Sequence, residues 1–283
     1  MRVYPQPKGI RIPILMYHSI SDEPETGHPY FWINTSPRLF AEQMKFLRDN
    51  DYKVISLSEA VEIISQTSKD PTPNTQHTTP RYMVLTFDDG YRDFYTHAFP
   101  ILKQFGFSPT VFLPTDFISG KKPGLKGKDH LGWGEVKELH SQGVFFGSHT
   151  ATHPQLKMLR QDEIEREIRI SKETIEDRIG CYVDSFSYPY KLPEQDKNFI
   201  RNLKNTLLKA GYRNGVSTRI GTAGGLKDTY FLKRLPINSD DTIPFFKAKL
   251  EGGYDWIYKA QSQYKVMRGR THKKDVKRTY KQP

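Results

Sequence analysis

The sequence predicts an α/β fold in which parallel strands and helices alternate to form a closed barrel in a single domain. Short β-rich runs alternate with amphipathic helical stretches along most of the 283 residues, which is typical of a parallel sheet wound with helices. Several runs, such as Met83-Val84-Leu85, are apolar throughout, as expected for strands buried on both faces. A series of about seven or eight strands favours closure, because a barrel has no exposed sheet edges.

Eight strands are predicted from apolar and β-branched runs, and the helices between them have recognisable start and stop signals. Ser36-Pro37 supplies an N-cap and a proline at the first helical position. Gly180 ends a helix that runs from about Asp162 to Ile179. Residues 67–80 and 119–129 are interpreted as surface loops, since they are rich in Pro and Thr or in Gly and Lys. The predicted strands are Ile12–His18, Lys53–Leu57, Tyr82–Phe87, Thr110–Pro114, Val144–Gly147, Ser185–Tyr188, Arg213–Ser217 and Phe231–Ile237.

The basic charge of the chain is concentrated near its C-terminus. The formal net charge is +11, and residues 259–283 alone hold nine lysines and arginines against one acid. We therefore divide the chain into a barrel domain, residues 1–258, and a basic tail, residues 259–283, which we expect to be flexible. The tail is interpreted either as a solvated terminus or as a segment that makes weak contact with a membrane surface or a polyanion.

Composition also narrows the compartment and the class of partner. No apolar run approaches the roughly 18 residues of a membrane-spanning helix, and residues 1–20 lack the apolar core of a secretory signal. We expect a cytoplasmic protein, or a cell-envelope protein if a leader has been removed. The single cysteine, Cys181, excludes an intramolecular disulfide. The folded body lacks the interleaved aromatic and basic residues of a specific nucleic-acid binder, and the sequence leaves the oligomeric state open.

Two adjacent carboxylates, Asp88 and Asp89, follow a predicted buried strand and precede Gly90. Burying two carboxylates is costly unless positive charge compensates them, and the carboxyl ends of barrel strands are where active sites form. These residues alone allow two interpretations. They are a functional pair at the barrel mouth, or they form an Asp-Gly turn with solvated acids.

Two histidines, His149 and His153, follow another apolar strand at a spacing of four. At one helical turn apart, both imidazoles can reach one ion. With one carboxylate from elsewhere in the chain they would form a His₂-carboxylate set with open positions, as in hydrolytic metal sites. The spacing is common by chance, but its place at a strand end, together with the carboxylate pair, predicts a metal site.

Two further strand ends carry residues with two interpretations each. In Ser187-Tyr-Pro-Tyr190, the proline fixes the backbone, so that a main-chain N–H can face a developing oxyanion, although the aromatics would also suit simple packing. His18 ends the first strand, either as a core histidine bonded to the backbone or as an acid or base near neutral pH.

Together, the Thr86-Phe-Asp-Asp-Gly90, His149-x-x-x-His153-Pro and Ser187-Tyr-Pro-Tyr190 motifs resemble those of the polysaccharide deacetylase family, the family 4 carbohydrate esterases. The resemblance extends from about Ile12 to Ile237. It implies a distorted (β/α)7-type barrel and a divalent metal, zinc or alternatively Co²⁺, Ni²⁺ or Fe²⁺. The opening Leu15-Met-Tyr-His18 resembles the permuted branch of the family, whose substrates are typically poly-N-acetylglucosamine-like exopolysaccharides.

The resemblance implies roles for individual residues. Asp88 would be the general base, and Tyr190 would offer its backbone N–H to the oxyanion and contact substrate. The metal ligands would be Asp89, His149 and His153. His18 would be the general acid, as in the permuted branch, because the late strand around Leu232 has no histidine.

Two further features bear on the resemblance. The Ser187-Tyr-Pro-Tyr190 motif lacks the arginine that many relatives carry in this motif to clamp the catalytic aspartate. Trp133 resembles a tryptophan near the groove of many relatives, where it would either stack on a sugar or serve in packing.

The function predicted from these residues is metal-dependent hydrolysis of N-acetyl groups on an N-acetylated polysaccharide, either an exopolysaccharide or peptidoglycan. Three alternatives stay open at this point. The substrate could be a small or lipid-linked sugar, or another compound with a non-peptide C–N bond. The protein could also be a carbohydrate-binding relative without catalysis, or a nucleic-acid binder that uses its tail.

Overall fold

The computed structural model describes residues 10–25, 32–69, 80–224 and 228–255. The strands are β1 (Arg11–Ile12), β2 (Ile14–Tyr17), β3 (Ser19–Ile20), β4 (Asn34–Thr35), β5 (Tyr52–Val54), β6 (Arg81–Phe87), β7 (Thr110–Leu113), β8 (Phe145–Ser148), β9 (Ser185–Ser187), β10 (Asn214–Ile220), β11 (Ala223–Gly224) and β12 (Leu232–Pro236). The α-helices are α1 (Pro37–Asp49), α2 (Leu57–Lys69), α3 (Phe99–Phe105), α4 (Thr115–Ile118), α5 (Trp133–Ser141), α6 (Gln161–Ile179), α7 (Lys197–Lys209) and α8 (Ile243–Leu250). The predicted basic tail, residues 259–283, lies outside the described residues.

Seven parallel strands close into a barrel in the order β2-β12-β10-β9-β8-β7-β6, and β6 pairs back to β2. The closing pair runs from Ile14 opposite Val84 to Tyr17 opposite Phe87. Strand β5 pairs with the first residues of β6 as an additional strand. This arrangement confirms the distorted (β/α)7-type barrel in a single domain. Among the described residues, no helix combines the length and apolar character needed to cross a bilayer.

The barrel interior is apolar at the end where the strands begin. Side chains from five different barrel strands form one buried cluster there: Ile14, Val84, Phe112, Val216 and Leu232. Because strands from around the whole ring contribute, this cluster fills the centre of the barrel. Ile55, which directly follows β5, and residues of α2 add further apolar side chains to the same cluster: Leu57, Ala60 and Ile64. Packed side chains therefore close this end of the barrel.

Polar groups lie above the apolar layer because side chains alternate along each strand. On β6, Leu85 and Phe87 point outward into the larger apolar cluster beneath the helices. Val84 points inward, so Thr86 and Asp88 follow it on the inner face at a spacing of two. The same alternation delivers polar residues from other strands to the open end of the barrel.

The boundaries of α1 and α6 agree with the signals in the sequence. The Oγ atom of Ser36 accepts a hydrogen bond from the backbone N–H of Leu39 at 3.2 Å, and Pro37 begins α1. Gly180 ends α6 with a φ of 72°, a left-handed conformation that glycine adopts at little cost. Helix α6 buries one apolar stripe against the barrel: Ile164, Ile168 and Ile175.

Gly147 in β8 allows a close approach within the barrel wall. A Cβ atom at this position would lie 2.4 Å from the ring of Phe112 and 2.9 Å from the carbonyl oxygen of Ser185. His149 directly follows this strand. The close packing of β8 against its neighbours therefore fixes the position of His149 at the end of the barrel.

We expect Gly147→Ala to lower the free energy of unfolding by about 1–3 kcal/mol, because the added methyl group overlaps a packed ring and a backbone carbonyl. Urea denaturation followed by circular dichroism measures this change. Gly134→Ala is the matched control, since no atom lies within 4 Å of its Cβ position. Equal stability of the two variants would contradict the close packing at Gly147.

Candidate active site

Polar side chains from five barrel strands meet at the open end of the barrel. They lie within or directly after β2, β6, β8, β9 and β12: His18, Asp88, Asp89, His149, Ser187 and Arg234. This position agrees with the rule that barrel enzymes place their chemistry at the carboxyl ends of the strands.

Asp89, His149 and His153 form a triad with the geometry of a metal site. The Oδ1 atom of Asp89 lies 3.5 Å from Nε2 of His149 and 3.3 Å from Nε2 of His153. One ligand atom from each residue falls within 4.8 Å of the others. Oδ1 of Asp89 is buried and has no hydrogen-bond partner, a costly state that a bound cation would relieve. Two imidazoles and one carboxylate therefore suit a divalent ion such as zinc.

A hydrogen bond at Nδ1 orients the ring of His149 so that Nε2 faces the triad. Its Nδ1 lies 2.7 Å from the backbone carbonyl oxygen of Ser187, so Nδ1–H donates there and Nε2 keeps its lone pair for a metal. Burial would lower the pKa of His149, but the carboxylates of Asp88 and Asp89 outweigh burial and raise it. Burial likewise opposes ionisation of Asp89, yet the two histidines hold the pKa of its carboxyl group well below the usual value.

Left-handed backbone conformations concentrate around this triad. Four non-glycine residues have positive φ angles: Asp89 at 71°, Thr150 at 67°, His153 at 53° and Tyr190 at 56°. Such conformations are unfavourable for residues with a Cβ and persist only where surrounding contacts enforce them. Their clustering at three strand ends indicates that the fold imposes the shape of the site.

Asp88 is held by a buried guanidinium from the far strand β12. Nη1 and Nη2 of Arg234 each donate to one oxygen of Asp88 at 2.7 Å, and Arg234 is 0% exposed. The hydroxyl group of Ser187 lies 3.2 Å from both carboxylate oxygens. Burial alone would raise the pKa of Asp88, but Arg234 and then His149 lower it. Asp88 is therefore ionised at neutral pH.

Arg234 fills a role for which the sequence offered no candidate. The Ser187-Tyr-Pro-Tyr190 motif lacks the clamping arginine that many relatives carry in this motif, and the guanidinium comes from another strand instead. The signal that could have identified Arg234 is its spacing of two from Leu232, which points into the barrel. A charged residue on the inner face of an apolar barrel strand needs a buried partner.

His18 lies beside Asp88 at the end of β2. The backbone N–H of Asp88 donates to the carbonyl oxygen of Tyr17 at 3.0 Å, which places the two neighbouring strand ends side by side. Burial lowers the pKa of the His18 ring, while the carboxylates of Asp89 and Asp88 act in the opposite direction. The structure thus brings His18 into the electrostatic field of the site.

Tyr190 lies at the rim of the site. Its ring centroid is 4.8 Å from that of His153, and 47% of the residue is exposed. An exposed aromatic residue beside the triad is suited to contact with a sugar. The oxyanion role of its backbone N–H stays a prediction.

Trp133 is half-buried on the outside of the barrel. Its indole N–H donates to Oγ of Ser119 at 3.1 Å, and the guanidinium of Arg178 lies over its ring at 5.6 Å. Within the described residues, these contacts do not join Trp133 to the triad. Its proposed stacking on a sugar also stays a prediction.

Two residues near the triad, Tyr91 and His130, were not identified from the sequence as part of the site. The His130 ring lies between Tyr91, at 5.1 Å, and Phe117, at 5.2 Å. Its Nε2 atom is buried without a hydrogen-bond partner. Burial, and next the nearby carboxylate of Asp89, raise the pKa of Tyr91. No spacing signal marks His130, because it joins Tyr91 through an isolated backbone bridge between two loops.

We expect Arg234→Met to destabilise the protein by about 3–5 kcal/mol at pH 7, because it leaves the Asp88 carboxylate buried without a counter-charge. Adding Asp88→Asn should recover part of this loss. The lowered pKa of Asp88 means that its contribution is present above its unfolded pKa, about 4, and is lost as the pH falls through the lower folded value. The difference between wild type and variant should therefore shrink in acid.

Urea denaturation between pH 3 and pH 7 tests this expectation. Arg169→Met is the control, since Arg169 pairs with Glu173 at 2.8 Å on the exposed face of α6 and should cost no more than about 1 kcal/mol. An Arg234→Met variant as stable as wild type would show that the ion pair is not a structural requirement.

Known proteins that are similar to this chain are polysaccharide deacetylases. The family model described as polysaccharide deacetylase matches residues 75–214. YxkH of Bacillus subtilis strain 168, whose name places it among the polysaccharide deacetylases, is 30% identical over 244 residues, which cover 86% of this chain and 77% of YxkH. A poly-beta-1,6-N-acetyl-D-glucosamine N-deacetylase of Staphylococcus aureus is 24% identical over 231 residues, covering 78% of this chain and 73% of that protein.

A solved structure supports the fold. The deacetylase PplD of Streptococcus pyogenes, in complex with acetate, matches with a TM-score of 0.69 and 24% identity, covering 86% of this chain and 99% of that chain. At this identity the likeness shows the barrel and no more. The identity and coverage of YxkH, together with the matching family model, show that the chain belongs to the polysaccharide deacetylase family of hydrolases, which are carbohydrate esterases.

Proposed function

We propose that this protein is a metal-dependent deacetylase that removes N-acetyl groups from a polysaccharide of the poly-N-acetylglucosamine type. The observation that carries the proposal is the unpartnered, buried Oδ1 of Asp89, which faces two imidazole nitrogens. Beside it lies a second carboxylate, Asp88, with a separate buried counter-ion. One acid is thus available to a metal, and the other is kept ionised for chemistry.

The metal would be held by Asp89, His149 and His153. A bound divalent ion supplies Lewis acidity, which polarises an acetyl carbonyl and lowers the pKa of a water molecule. Two nitrogen ligands and one oxygen ligand are typical of zinc in hydrolases. Co²⁺, Ni²⁺ and Fe²⁺ accept the same ligands.

Asp88 would act as the general base. Its carboxylate is ionised at neutral pH, because Arg234 and His149 lower its pKa, so it can accept a proton from the attacking water. The bidentate contact with Arg234 also fixes the orientation of the carboxylate, which reduces the reorganisation needed during proton transfer.

Hydrolysis of an amide also requires a donor for the oxyanion and an acid for the leaving amine. The backbone N–H of Tyr190 would donate to the oxyanion, and the left-handed conformation of this residue gives the amide a fixed direction. His18, beside Asp88 at the mouth, would protonate the amine, because an amide nitrogen leaves poorly without a proton.

The substrate class rests on the relatives and on the shape of the rim. The Staphylococcus aureus relative is named for a poly-beta-1,6-linked N-acetylglucosamine polymer. The exposed ring of Tyr190 offers a face for a sugar next to the triad. An exopolysaccharide is therefore proposed as the substrate, ahead of peptidoglycan or a lipid-linked sugar.

The direct test is amine release from N-acetylglucosamine oligomers and peptidoglycan fragments, with chelated protein and after zinc or cobalt is restored. We expect activity to disappear with the chelator and to return with the metal. Asp89→Asn should lose the metal, whereas Asp88→Asn should retain it and lose about 10²–10⁴-fold in turnover. Full activity of the chelated protein, or a near-normal rate for Asp88→Asn, would contradict these assignments.

The role of His18 can be tested with two leaving groups. We expect His18→Asn to reduce amide hydrolysis by about 10²–10⁴-fold. It should have little effect on p-nitrophenyl acetate, because p-nitrophenolate departs without a proton. Initial rates on both substrates, with matched metal content, provide the comparison. Unchanged amide hydrolysis would return the acid role to another group, and an equal loss on both substrates would indicate a structural role.

A further inference from the structure

We infer that Glu167 of α6 is a positioning residue that holds the segment between the two histidine ligands in its ligating conformation. This inference rests on the proposed function, since it concerns the metal site. The contacts of Glu167, however, are present without a metal. Residues 149–153, which contain both histidines, are called the histidine loop.

The Glu167 carboxylate accepts three hydrogen bonds from the histidine loop. Its Oε2 atom accepts the backbone N–H of Ala151 at 2.9 Å and that of Thr152 at 2.8 Å. Its Oε1 atom accepts the hydroxyl of Thr152 at 2.8 Å. A carboxylate has only acceptors, so it can satisfy all three donors at once.

The remaining backbone N–H groups of the loop bond to other parts of the barrel or within the loop. The N–H of His149 donates to the carbonyl oxygen of Leu113 at 3.0 Å, and that of His153 donates to Oγ1 of Thr150 at 3.0 Å. Without Glu167, the two central donors would lose their partners. A backbone donor left unpaired is unfavourable, so the loop would rearrange.

The histidine loop depends on such support because its conformation is strained. Thr150 and His153 both have left-handed φ angles, on either side of the two residues that Glu167 contacts. A small change in these angles would separate Nε2 of His153 from Oδ1 of Asp89, now 3.3 Å apart. The hydrogen bonds from Ala151 and Thr152 to Glu167 therefore affect the geometry of the two histidines through the backbone.

The position of Glu167 is itself fixed by the packing of α6. Its neighbours at positions 164 and 168 are buried isoleucines, which hold the helix against the barrel. One turn further on, Oγ of Ser171 lies 2.5 Å from Oγ of Ser148, at the end of β8. This hydrogen bond joins α6 to β8, the strand that precedes the histidine loop.

The test compares Glu167→Met with Glu163→Met in the full-length, metal-free protein. Methionine keeps the length of the side chain but offers no oxygen acceptor, whereas a glutamine oxygen could still accept both backbone N–H groups. Glu163 lies one turn earlier on α6, where its carboxylate accepts the N–H of Arg160 at 2.8 Å, so its variant loosens the helix without touching the loop. Cobalt titration, followed by visible absorption, measures metal affinity and the symmetry of the site.

We expect Glu167→Met to weaken cobalt binding by about 10–100-fold, as for the loss of other groups that orient metal ligands. Its cobalt spectrum should also change, while Glu163→Met should stay within about twofold of wild type. Thermal unfolding of the metal-free variants checks that both remain folded. Cobalt affinity of Glu167→Met within twofold of wild type would overturn the inference, as would an equal loss in both variants.

Amide hydrogen exchange separates this inference from the proposed function. In the metal-free protein, the amides of Ala151 and Thr152 should be protected, and Glu167→Met should remove that protection. Wild-type protein that binds neither cobalt nor zinc would overturn the metal-dependent function. The exchange data would still decide whether Glu167 holds the loop, since unchanged protection in Glu167→Met refutes this role.

Discussion

A guanidinium group that is fully enclosed by the barrel constrains the whole active site. Arg234 is bound to both oxygens of Asp88, and it also donates to Oγ of Ser187 at 3.0 Å and to the carbonyl oxygen of Ser217 at 3.2 Å. Four strands are therefore connected through one side chain, because these groups lie at the ends or in the middle of β6, β9, β10 and β12. A buried ion pair contributes little net stability over an apolar replacement, so its retention at this place is better explained by what it does to Asp88.

The two carboxylates of the site differ because their surroundings differ. Asp88 receives a permanent counter-ion from the protein, whereas Asp89 faces the imidazole rings of His149 and His153. Ser187 couples the two halves, since its hydroxyl group contacts Asp88 and its carbonyl oxygen fixes the ring of His149. Adjacent residues in the sequence thus reach distinct environments, as is often seen where one site needs both a ligand and a base.

The fold and the convergence of Asp89, His149 and His153 could be predicted because both depend on local signals. Apolar runs locate the strands, and parallel strands in a closed barrel bring their carboxyl ends together, so Asp89 and His149 had to converge. Arg234 could not be placed in the same way, since its partner lies 146 residues away and the contact depends on which strands meet across the barrel. Glu167 likewise resembles the other acids of α6, and only the packing of that helix on the histidine loop distinguishes it.

The closed lower end of the barrel has a consequence for traffic through the site. Ile14, Val84, Phe112, Val216 and Leu232 fill the centre, and α2 packs over them, so the described side chains block the barrel axis at this end. In the proposed reaction, water, glycan and released acetate would therefore share the opening at the other end. A long polymer lying across that opening would obstruct the exit of acetate, and the order of departure would then depend on how far the polymer slides or lifts between successive cleavages. With this end of the barrel closed, the release of acetate would thus depend on the movement of the glycan polymer.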